Sequence, residues 1–126
     1  MFIKKYELED EVALFKLIEK EGTGWAEYYD TRKEHYQKAL VNSITYVVYD
    51  ENLCGYCRCR DDDGFGIYIY DLLIEKAYRG KQYGRALMQQ VKYDYPEADV
   101  YVMSDVDVYY QKQGFSREGS IFSVDF

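Results

Sequence analysis

The sequence predicts a single α/β domain, built on a mixed β-sheet of about six to seven strands with about four helices. Its 126 residues provide room for one domain, since domains commonly have about 100–150 residues. Short β-branched and aromatic segments alternate with helical apolar stripes in the order β-α-α-β-β-β-α-β-α-β-β. No repeat, low-complexity tract or Pro/Gly/Ser-rich linker divides the chain, so residues 1–126 are expected to form one domain.

The charge balance and hydropathy exclude several classes of protein. The chain carries 16 basic and 23 acidic residues, a net charge of -7, and such a field repels phosphate backbones. We therefore expect no nucleic-acid partner and favour a cationic or amine-bearing one. No apolar run is long enough to span a membrane or to act as a signal peptide, so the sequence predicts a cytoplasmic protein without a membrane partner.

The three cysteines lie in one short segment, at Cys54, Cys57 and Cys59. An odd, clustered set is unlike a disulfide framework and indicates a reducing compartment. A zinc site is disfavoured because tetrahedral zinc needs four ligands from separated elements, and His35 is the only histidine. Strand alternation places Cys57 and Cys59 on one face and Cys54 on the other. We expect buried strand thiols and no metal.

The first third of the chain predicts one strand and two helices. Phe2–Tyr6 is the opening strand. The apolar stripe that predicts the first helix comprises Val12, Leu14, Phe15, Leu17 and Ile18. Gly22 and Gly24 end this helix. Trp25–Leu40 is a second helical stretch, with its helix expected to begin near Asp30 or Thr31.

Three strands joined by tight turns are predicted next, from β-branched and aromatic content: Ile44–Tyr49, Leu53–Arg60 and Phe65–Ile74. The third is dense in Ile, Leu and Tyr, as expected for a strand covered on both faces. The turn at residues 61–64 is acidic, but Gly64 comes too early for a calcium-binding EF-hand loop, and we expect a solvated turn.

The remaining elements complete the predicted sheet. A helix is expected from Lys81 or Gln82 to about Tyr93, with Pro96 after its end, and then a strand at Ala98–Met103. A short helix at Val106–Lys112 ends at Gly114. Phe115–Arg117 and Ser120–Phe126 are predicted to close the sheet as an antiparallel hairpin.

The segment from Asp71 to Leu87 contains the most informative motif. A buried strand leads into a basic, glycine-bearing loop that opens a helix, Arg79-Gly80-Lys81-Gln82-Tyr83-Gly84-Arg85. Main-chain N–H groups converge at a helix start, where the helix dipole favours an anion such as a phosphate. The loop is neither a Walker A loop nor a three-glycine dinucleotide fingerprint. A glycine-containing turn with surface Arg and Lys is the structural alternative.

A second motif lies downstream, in Tyr109-Tyr110-Gln111-Lys112-Gln113-Gly114-Phe115. Together the two motifs resemble the GNAT superfamily of acyl-CoA-dependent N-acyltransferases. Arg79 and Gly84 take the first and last positions of the family's Q/R-x-x-G-x-G/A signature, and Gln82 stands where a glycine is usual. The F/Y-Y-x-x-x-G-F signature matches at Tyr109, Tyr110, Gly114 and Phe115, while an Asn often found before that helix is absent.

The resemblance implies a GNAT-like domain in which the fourth and fifth strands splay apart and admit the pantetheine arm of acetyl-CoA. The arm would pair with the free edge of the fourth strand, at Leu72, Leu73 and Ile74. The diphosphate would bind the loop residues Arg79, Gly80, Lys81, Gln82, Tyr83, Gly84 and Arg85. The thioester would then lie near Asp71 and Leu72, where a main-chain N–H polarises the acyl carbonyl.

The same resemblance suggests catalytic and acceptor residues. Tyr110 matches the family's acid, which protonates the leaving thiolate. Asp71 is the first candidate for the base that deprotonates the amine; pairing with Arg58 is its structural alternative, and a distal residue acting through water is an equal one. The second helical region would line the acceptor side with Trp25, Glu27, Tyr28 and Tyr29. For Tyr109 we expect core packing.

The sequence therefore predicts an N-acetyltransferase that moves an acetyl group from acetyl-CoA to a primary amine by direct attack. The acceptor is an unidentified small molecule or peptide, expected to be cationic because the protein is acidic. One alternative is a non-catalytic acyl-CoA-binding or regulatory module on the same fold. Another is an interaction protein with exposed tyrosines that binds no CoA. The chain is expected to be a monomer or a homodimer.

Overall fold

The structure is a computed structural model that describes residues 1–126. Five strands form one sheet in the order β1-β2-β3-β4-β5: β1 Phe2–Lys5, β2 Ile44–Asp50, β3 Asn52–Asp61, β4 Ile67–Ile74 and β5 Val100–Val102. The α-helices are α1 Glu11–Glu21, α2 Lys33–Asn42, α3 Tyr83–Asp94 and α4 Asp107–Lys112. The predicted mixed α/β class and the four helices are confirmed.

Two apolar cores lie on opposite faces of the sheet. The first core joins α1 and α2 to side chains such as Val47, Tyr56 and Leu73. The second core joins α3 to side chains such as Ile67 and Ile69. Because alternate residues of a strand point to opposite faces, β2, β3 and β4 contribute to both cores, and all three are rich in Val, Ile, Leu, Tyr or Cys.

The sheet opens between its last two strands. β1 to β4 pair antiparallel with their neighbours, whereas β4 pairs parallel with β5. That parallel pairing covers only Ile67 to Ile69, with one further bond from the Met103 N–H to the Ile69 carbonyl at 2.9 Å. Beyond Ile69, β4 pairs only with β3. The predicted splaying between the fourth and fifth strands is confirmed.

A bulge changes the predicted facing of the cysteines. The register between β2 and β3 shifts at Val48 and Tyr49, so Cys54 becomes the extra residue of the bulge. Cys54 therefore joins Cys57 and Cys59 in the second core, and all three are free and fully buried. The expectation that Cys54 faces the other side was wrong because simple alternation ignores the bulge.

A second bulge lies in the middle of β4. Arg58 pairs with Asp71 while the next β3 residue, Cys59, pairs with Ile69, which leaves Tyr70 unpaired. The bulge turns Asp71 toward the α2 face of the sheet, where it is 5% exposed. It is adjacent to the point where β4 and β5 separate.

The predicted final hairpin does not form, so the sheet has five strands rather than six to seven. No regular secondary structure follows Lys112, and the side chains of Ile121, Phe122 and Val124 are exposed. A strand needs an edge with which to pair, and β5 has only three residues. Strand propensity in Phe115–Arg117 and Ser120–Phe126 was therefore insufficient evidence for a hairpin.

The connection between α1 and α2 also differs from the expected continuous helical stretch. A short 3₁₀ turn at Thr23–Trp25 leads to a π-helical turn at Glu27–Thr31, and α2 begins only at Lys33. The helix was expected to begin near Asp30 or Thr31, which lie in the π turn, because residue spacing alone does not distinguish a π turn from the first turn of an α-helix. None of the helices has both the length and the apolar content needed to cross a membrane.

Candidate active site

The open edge of β4 exposes main-chain hydrogen-bonding groups. The Glu75 N–H donates to the Cys54 carbonyl at 2.7 Å, and Leu73 lies opposite Tyr56, so these residues direct their main-chain groups toward β3. Because alternate residues of a strand direct their main-chain groups toward opposite neighbouring strands, the main-chain groups of Leu72 and Ile74 face the gap where β5 no longer pairs with β4. An extended ligand can add to this edge as a further strand.

The loop after β4 presents a row of unused donors. None of the main-chain N–H groups from Gly80 to Arg85 donates a hydrogen bond within the protein. The first helical residues lack partners because the preceding turn supplies no acceptor, and Gln82 gives no side-chain cap. The positive end of the α3 dipole lies at the same place. The loop therefore has the properties of an anion site.

Gln82 adopts a backbone conformation that favours glycine. Its φ of 65° and ψ of 23° lie in the left-handed region, where a Cβ is close to the next carbonyl oxygen. The conformation turns the chain into α3 and is retained although the residue is not glycine. The backbone at Gln82 thus has a conformation that glycine adopts without strain.

We expect Gln82→Gly to stabilise the protein by about 0.5–1 kcal/mol, because relief of left-handed strain exceeds the added entropy of the unfolded chain. Thermal unfolding of the two proteins measures the difference. Gln82→Ala is the matched control, since it keeps the Cβ and should give no gain. A Gln82→Gly protein no more stable than the Gln82→Ala protein would contradict the assigned strain.

The basic side chains of the loop contact protein groups. The Arg79 Nη2 donates to both carboxylate oxygens of Glu21 in α1, at 2.8 and 2.7 Å. The Arg79 Nε donates to the Ile74 carbonyl at 2.9 Å. The Lys81 ammonium lies 4.0 Å from Asp50. Arg85 donates to the Gln113 side chain at 2.9 Å, which attaches α3 to the end of α4. The unused N–H groups, rather than these cations, are the free anion-binding elements.

Tyr109 lies against the start of α3. A Cβ on Gly84 would stand 2.7 Å from the Tyr109 hydroxyl and 3.8 Å from side-chain atoms of Leu72 and Ile74. The absence of a side chain at Gly84 thus allows the Tyr109 hydroxyl to approach the helix beside the β4 edge. Core packing was the expectation for Tyr109, and sequence reasoning missed its place beside Gly84 because that contact depends on how α4 packs against α3.

Tyr110 is partly buried against the second core. Burial, with smaller effects from Tyr109 and Asp105, raises the pKa of Tyr110 to about 12. Its ring meets the Tyr109 ring edge to face, with centroids 5.0 Å apart. Both tyrosines of the downstream motif are therefore protonated at neutral pH and lie on the helix next to the opening.

Asp71 belongs to a buried polar network on the α2 side. Its Oδ2 accepts hydrogen bonds from the Arg58 Nε and the Tyr36 hydroxyl, both at 2.6 Å. The Tyr36 and Tyr56 hydroxyls lie 2.6 Å apart. Burial alone would lower the pKa of Arg58, but the charge and hydrogen bond of Asp71 raise it overall. The structural alternative for Asp71, pairing with Arg58, is thus present, while a role in proton transfer stays a prediction.

The residues predicted on the acceptor side separate into two groups. Tyr28 stacks on Tyr36 at 4.4 Å and faces Asp71; burial and then the Asp71 charge raise its pKa to about 12. Trp25 meets Tyr28 edge to face at 5.4 Å, so an aromatic wall leads to Asp71. Glu27 instead lies outside, in an exposed ion pair with Arg32 at 2.9 Å, and Tyr29 packs against the first core.

Comparison with solved structures identifies the same architecture. A GNAT family acetyltransferase from Streptococcus pneumoniae TIGR4 is 23% identical, with 98% of this chain and 97% of that chain covered and a TM-score of 0.73. An aminoglycoside acetyltransferase from an uncultured soil metagenomic sample is 20% identical, with 99% and 97% covered and a TM-score of 0.74. Glucosamine-6-phosphate N-acetyltransferase from Arabidopsis thaliana is 20% identical, with 99% and 97% covered and a TM-score of 0.68.

A search of curated protein sequences finds no match. Comparison with family models does find one, the acetyltransferase (GNAT) domain, over residues 41–117. That range is more than half of the chain and contains β4, the loop with the unused N–H groups and both tyrosines of α4. The family resemblance of the two motifs is therefore confirmed, and the chain belongs to the GNAT acetyltransferase family.

Proposed function

We propose that this protein transfers an acetyl group from acetyl-CoA to a primary amine. The observation that carries the proposal is the row of unused main-chain N–H groups from Gly80 to Arg85, directly after a strand whose edge is open. The row fits a diphosphate, and the open edge fits the amide-bearing pantetheine arm. The two features are contiguous, as the two parts of the ligand are.

The residues that would hold acetyl-CoA follow from this arrangement. Leu72, Leu73 and Ile74 provide the strand edge, with Leu72 and Ile74 facing the opening. The diphosphate would lie on the free amides of Gly80, Lys81, Gln82, Tyr83, Gly84 and Arg85, whereas the Arg79 N–H already donates to the Lys76 carbonyl at 3.3 Å. Arg79 would act indirectly, because its ion pair with Glu21 holds the loop against α1.

Acetyl-CoA, when bound, supplies an activated acyl carbonyl. The Leu72 N–H, which faces the opening beside the bulge, would donate to the carbonyl oxygen and stabilise the negative charge that develops there. Such preorganised donors are among the largest contributions to acyl-transfer catalysis. The bulge at Tyr70 fixes this N–H relative to Asp71.

Two proton transfers complete the reaction. The amine is mostly protonated at neutral pH and must lose a proton before it attacks, and we assign that proton to Asp71, reached directly or through Tyr28. Tyr110 would protonate the departing sulfur, since its raised pKa keeps the hydroxyl protonated. Trp25, Tyr28 and the neighbouring Glu27 and Tyr29 would flank the approach of the acceptor.

The acidic protein favours a cationic acceptor, and we place the enzyme in the cytoplasm as a monomer or homodimer. One of the similar solved structures is named an aminoglycoside acetyltransferase, which supports an amine-bearing acceptor here. The amide donors, the open edge and the proton-transfer groups together support an active enzyme over a binding module.

Calorimetric titration of CoA tests the anion site. Gln82→Glu should weaken CoA binding about 10-fold, because a carboxylate at the helix start competes for the same N–H groups and repels the diphosphate. Gln89→Glu is the control: it makes the same charge change on the exposed side of α3. Equal affinities for the two variants, or no CoA binding by the parent, would refute the site.

A thiol-release assay with a panel of amines then tests the transfer. Release of CoA thiol with at least one primary amine, together with an acetylated product by mass spectrometry, is the expected result. CoA binding without thiol release from any amine or protein acceptor would instead identify a non-catalytic acyl-CoA-binding module.

A further inference from the structure

The Asp71 carboxylate uses only one of its two oxygens for hydrogen bonds within the protein. The Tyr36 hydroxyl and the Arg58 Nε both donate to Oδ2, and no hydrogen bond ends on Oδ1. Oδ1 is not sealed from solvent, because the Tyr6 hydroxyl is the one sealed polar side-chain atom without a partner. We propose that Tyr36 is a positioning residue, which holds Oδ2 so that Oδ1 stays free to accept the proton of the amine. The inference rests on the proposed acetyl transfer and assigns a residue that acts through Asp71.

The Tyr36 hydroxyl is fixed by a directional chain of hydrogen bonds. An ionised carboxylate can only accept, so Tyr36 donates its proton to Asp71, and its oxygen accepts the proton of Tyr56 at 2.6 Å. The buried Tyr36 ring is held between Tyr28, stacked at 4.4 Å, and Phe15, edge to face at 6.2 Å. This packing leaves the hydroxyl little freedom to move, so one oxygen of the carboxylate has a fixed partner.

Arg58 pairs with this carboxylate through one hydrogen bond instead of two. Its Nε donates to Asp71 Oδ2, while its Nη1 donates to the Ser43 hydroxyl at 3.3 Å. Arginine and carboxylate groups frequently pair through two parallel bonds, and such a pair would occupy both oxygens of Asp71. The Tyr36 hydroxyl on Oδ2 opposes the rotation of the carboxylate that this arrangement requires. Loss of that hydroxyl should therefore let Arg58 take Oδ1 as well, which blocks proton transfer but retains the ion pair.

The surroundings of Asp71 leave it as the group that takes the proton. Tyr36 of α2, Tyr28 of the π turn, and Arg58 and Tyr56 of β3 face the carboxylate, and Arg58 is the only charged one among them. Burial and then the Asp71 charge raise the pKa of Tyr28 to about 12, so its hydroxyl stays protonated at neutral pH. In the proposed step an N–H bond of the ammonium breaks, an O–H bond forms at Oδ1, and the freed lone pair attacks the acyl carbon.

Two amines of similar shape test this inference. Ethylamine is an ammonium ion at neutral pH, whereas the fluorines of trifluoroethylamine keep its nitrogen largely unprotonated, so only ethylamine needs the base before it attacks. In thiol release at neutral pH, Tyr36→Phe should lower kcat/KM about 10-fold for ethylamine and less than about 2-fold for trifluoroethylamine. A general loss of packing would lower both values equally. If only larger amines react, the most active one is compared at neutral pH and at about pH 10.5, where the free amine is abundant and the loss should shrink.

Matched variants complete the test. Tyr46→Phe removes another buried hydroxyl that donates to a carboxylate, Asp94 Oδ2 at 2.5 Å, and should not distinguish the two amines. If Tyr36→Phe does not fold, Tyr36→Phe with Tyr56→Phe leaves no buried hydroxyl without an acceptor and should show the same selective loss. Absence of a selective loss overturns the inference, and a selective loss in Asp71→Asn then retains the proposed function. If the parent releases no thiol from any amine, the proposed function itself is overturned.

Discussion

Arg58→Met is expected to lower the free energy of unfolding by about 3–5 kcal/mol, because it leaves a buried carboxylate without its counter-ion. The Asp71 side chain is 4% exposed and the Arg58 side chain 15%, so water does not readily replace the lost partner. Methionine keeps most of the side-chain volume, which limits the loss from packing. Urea unfolding of parent and variant measures the difference.

Two further variants test whether the loss of stability comes from the Arg58–Asp71 ion pair. Arg60→Met removes a neighbouring arginine on the same face of β3 whose side chain is exposed, and should change stability by less than about 0.5 kcal/mol. The double variant Arg58→Met with Asp71→Asn should lose about 2 kcal/mol less than the sum of the single variants. Additive losses would show that the two groups do not interact in solution.

The same variants separate two roles for Asp71. If Asp71 accepts the proton of the amine, Asp71→Asn changes the shape of the pH–rate profile as well as kcat. If it only holds Arg58, Tyr36 and the bulge in place, kcat falls while the profile keeps its shape. The hydrogen bonds of Asp71 to Arg58 and Tyr36 already account for a positioning role, in which the profile keeps its shape. Proton transfer to Asp71, which changes the profile, is our proposal for the mechanism.

Much of the fold was predictable because it depends on local patterns. The β2 to β4 strands contain dense β-branched and aromatic residues, and their turns contain acidic residues and glycine, so their positions follow from propensity. Two bulges were not predictable, since a bulge depends on how neighbouring strands fit together rather than on the strand itself. They determine where Cys54 and Asp71 point.

The candidate site shows the same division. The loop motif predicted main-chain donors at the start of α3, because helix starts leave N–H groups unpaired whatever the side chains are. The partners of its arginines were hidden, since Glu21 and Gln113 are far from the loop in sequence. The stacking of Tyr68 on Tyr101 could not be predicted for the same reason, since the two rings meet only because β4 and β5 pair.

Tyr110→Phe is expected to lower kcat about 100-fold while leaving the Kd of CoA within about 2-fold, because the substitution removes the proton donor for the leaving sulfur and keeps the ring. Steady-state thiol release and calorimetry provide the two values. Tyr109→Phe is the matched control on the same helix. Its hydroxyl lies over Gly84 beside the β4 edge, so we expect a modest change in CoA affinity and little change in kcat.

The pH dependence offers a second check on Tyr110. A pKa of about 12 keeps its hydroxyl protonated up to the pH at which a typical alkylamine has lost its proton. Activity should therefore rise with pH as the free amine accumulates, and a fall from loss of the acid should appear only above about pH 11. If Tyr109→Phe rather than Tyr110→Phe removes most of kcat, the hydroxyl over Gly84 is the proton donor and the motif-based assignment is wrong.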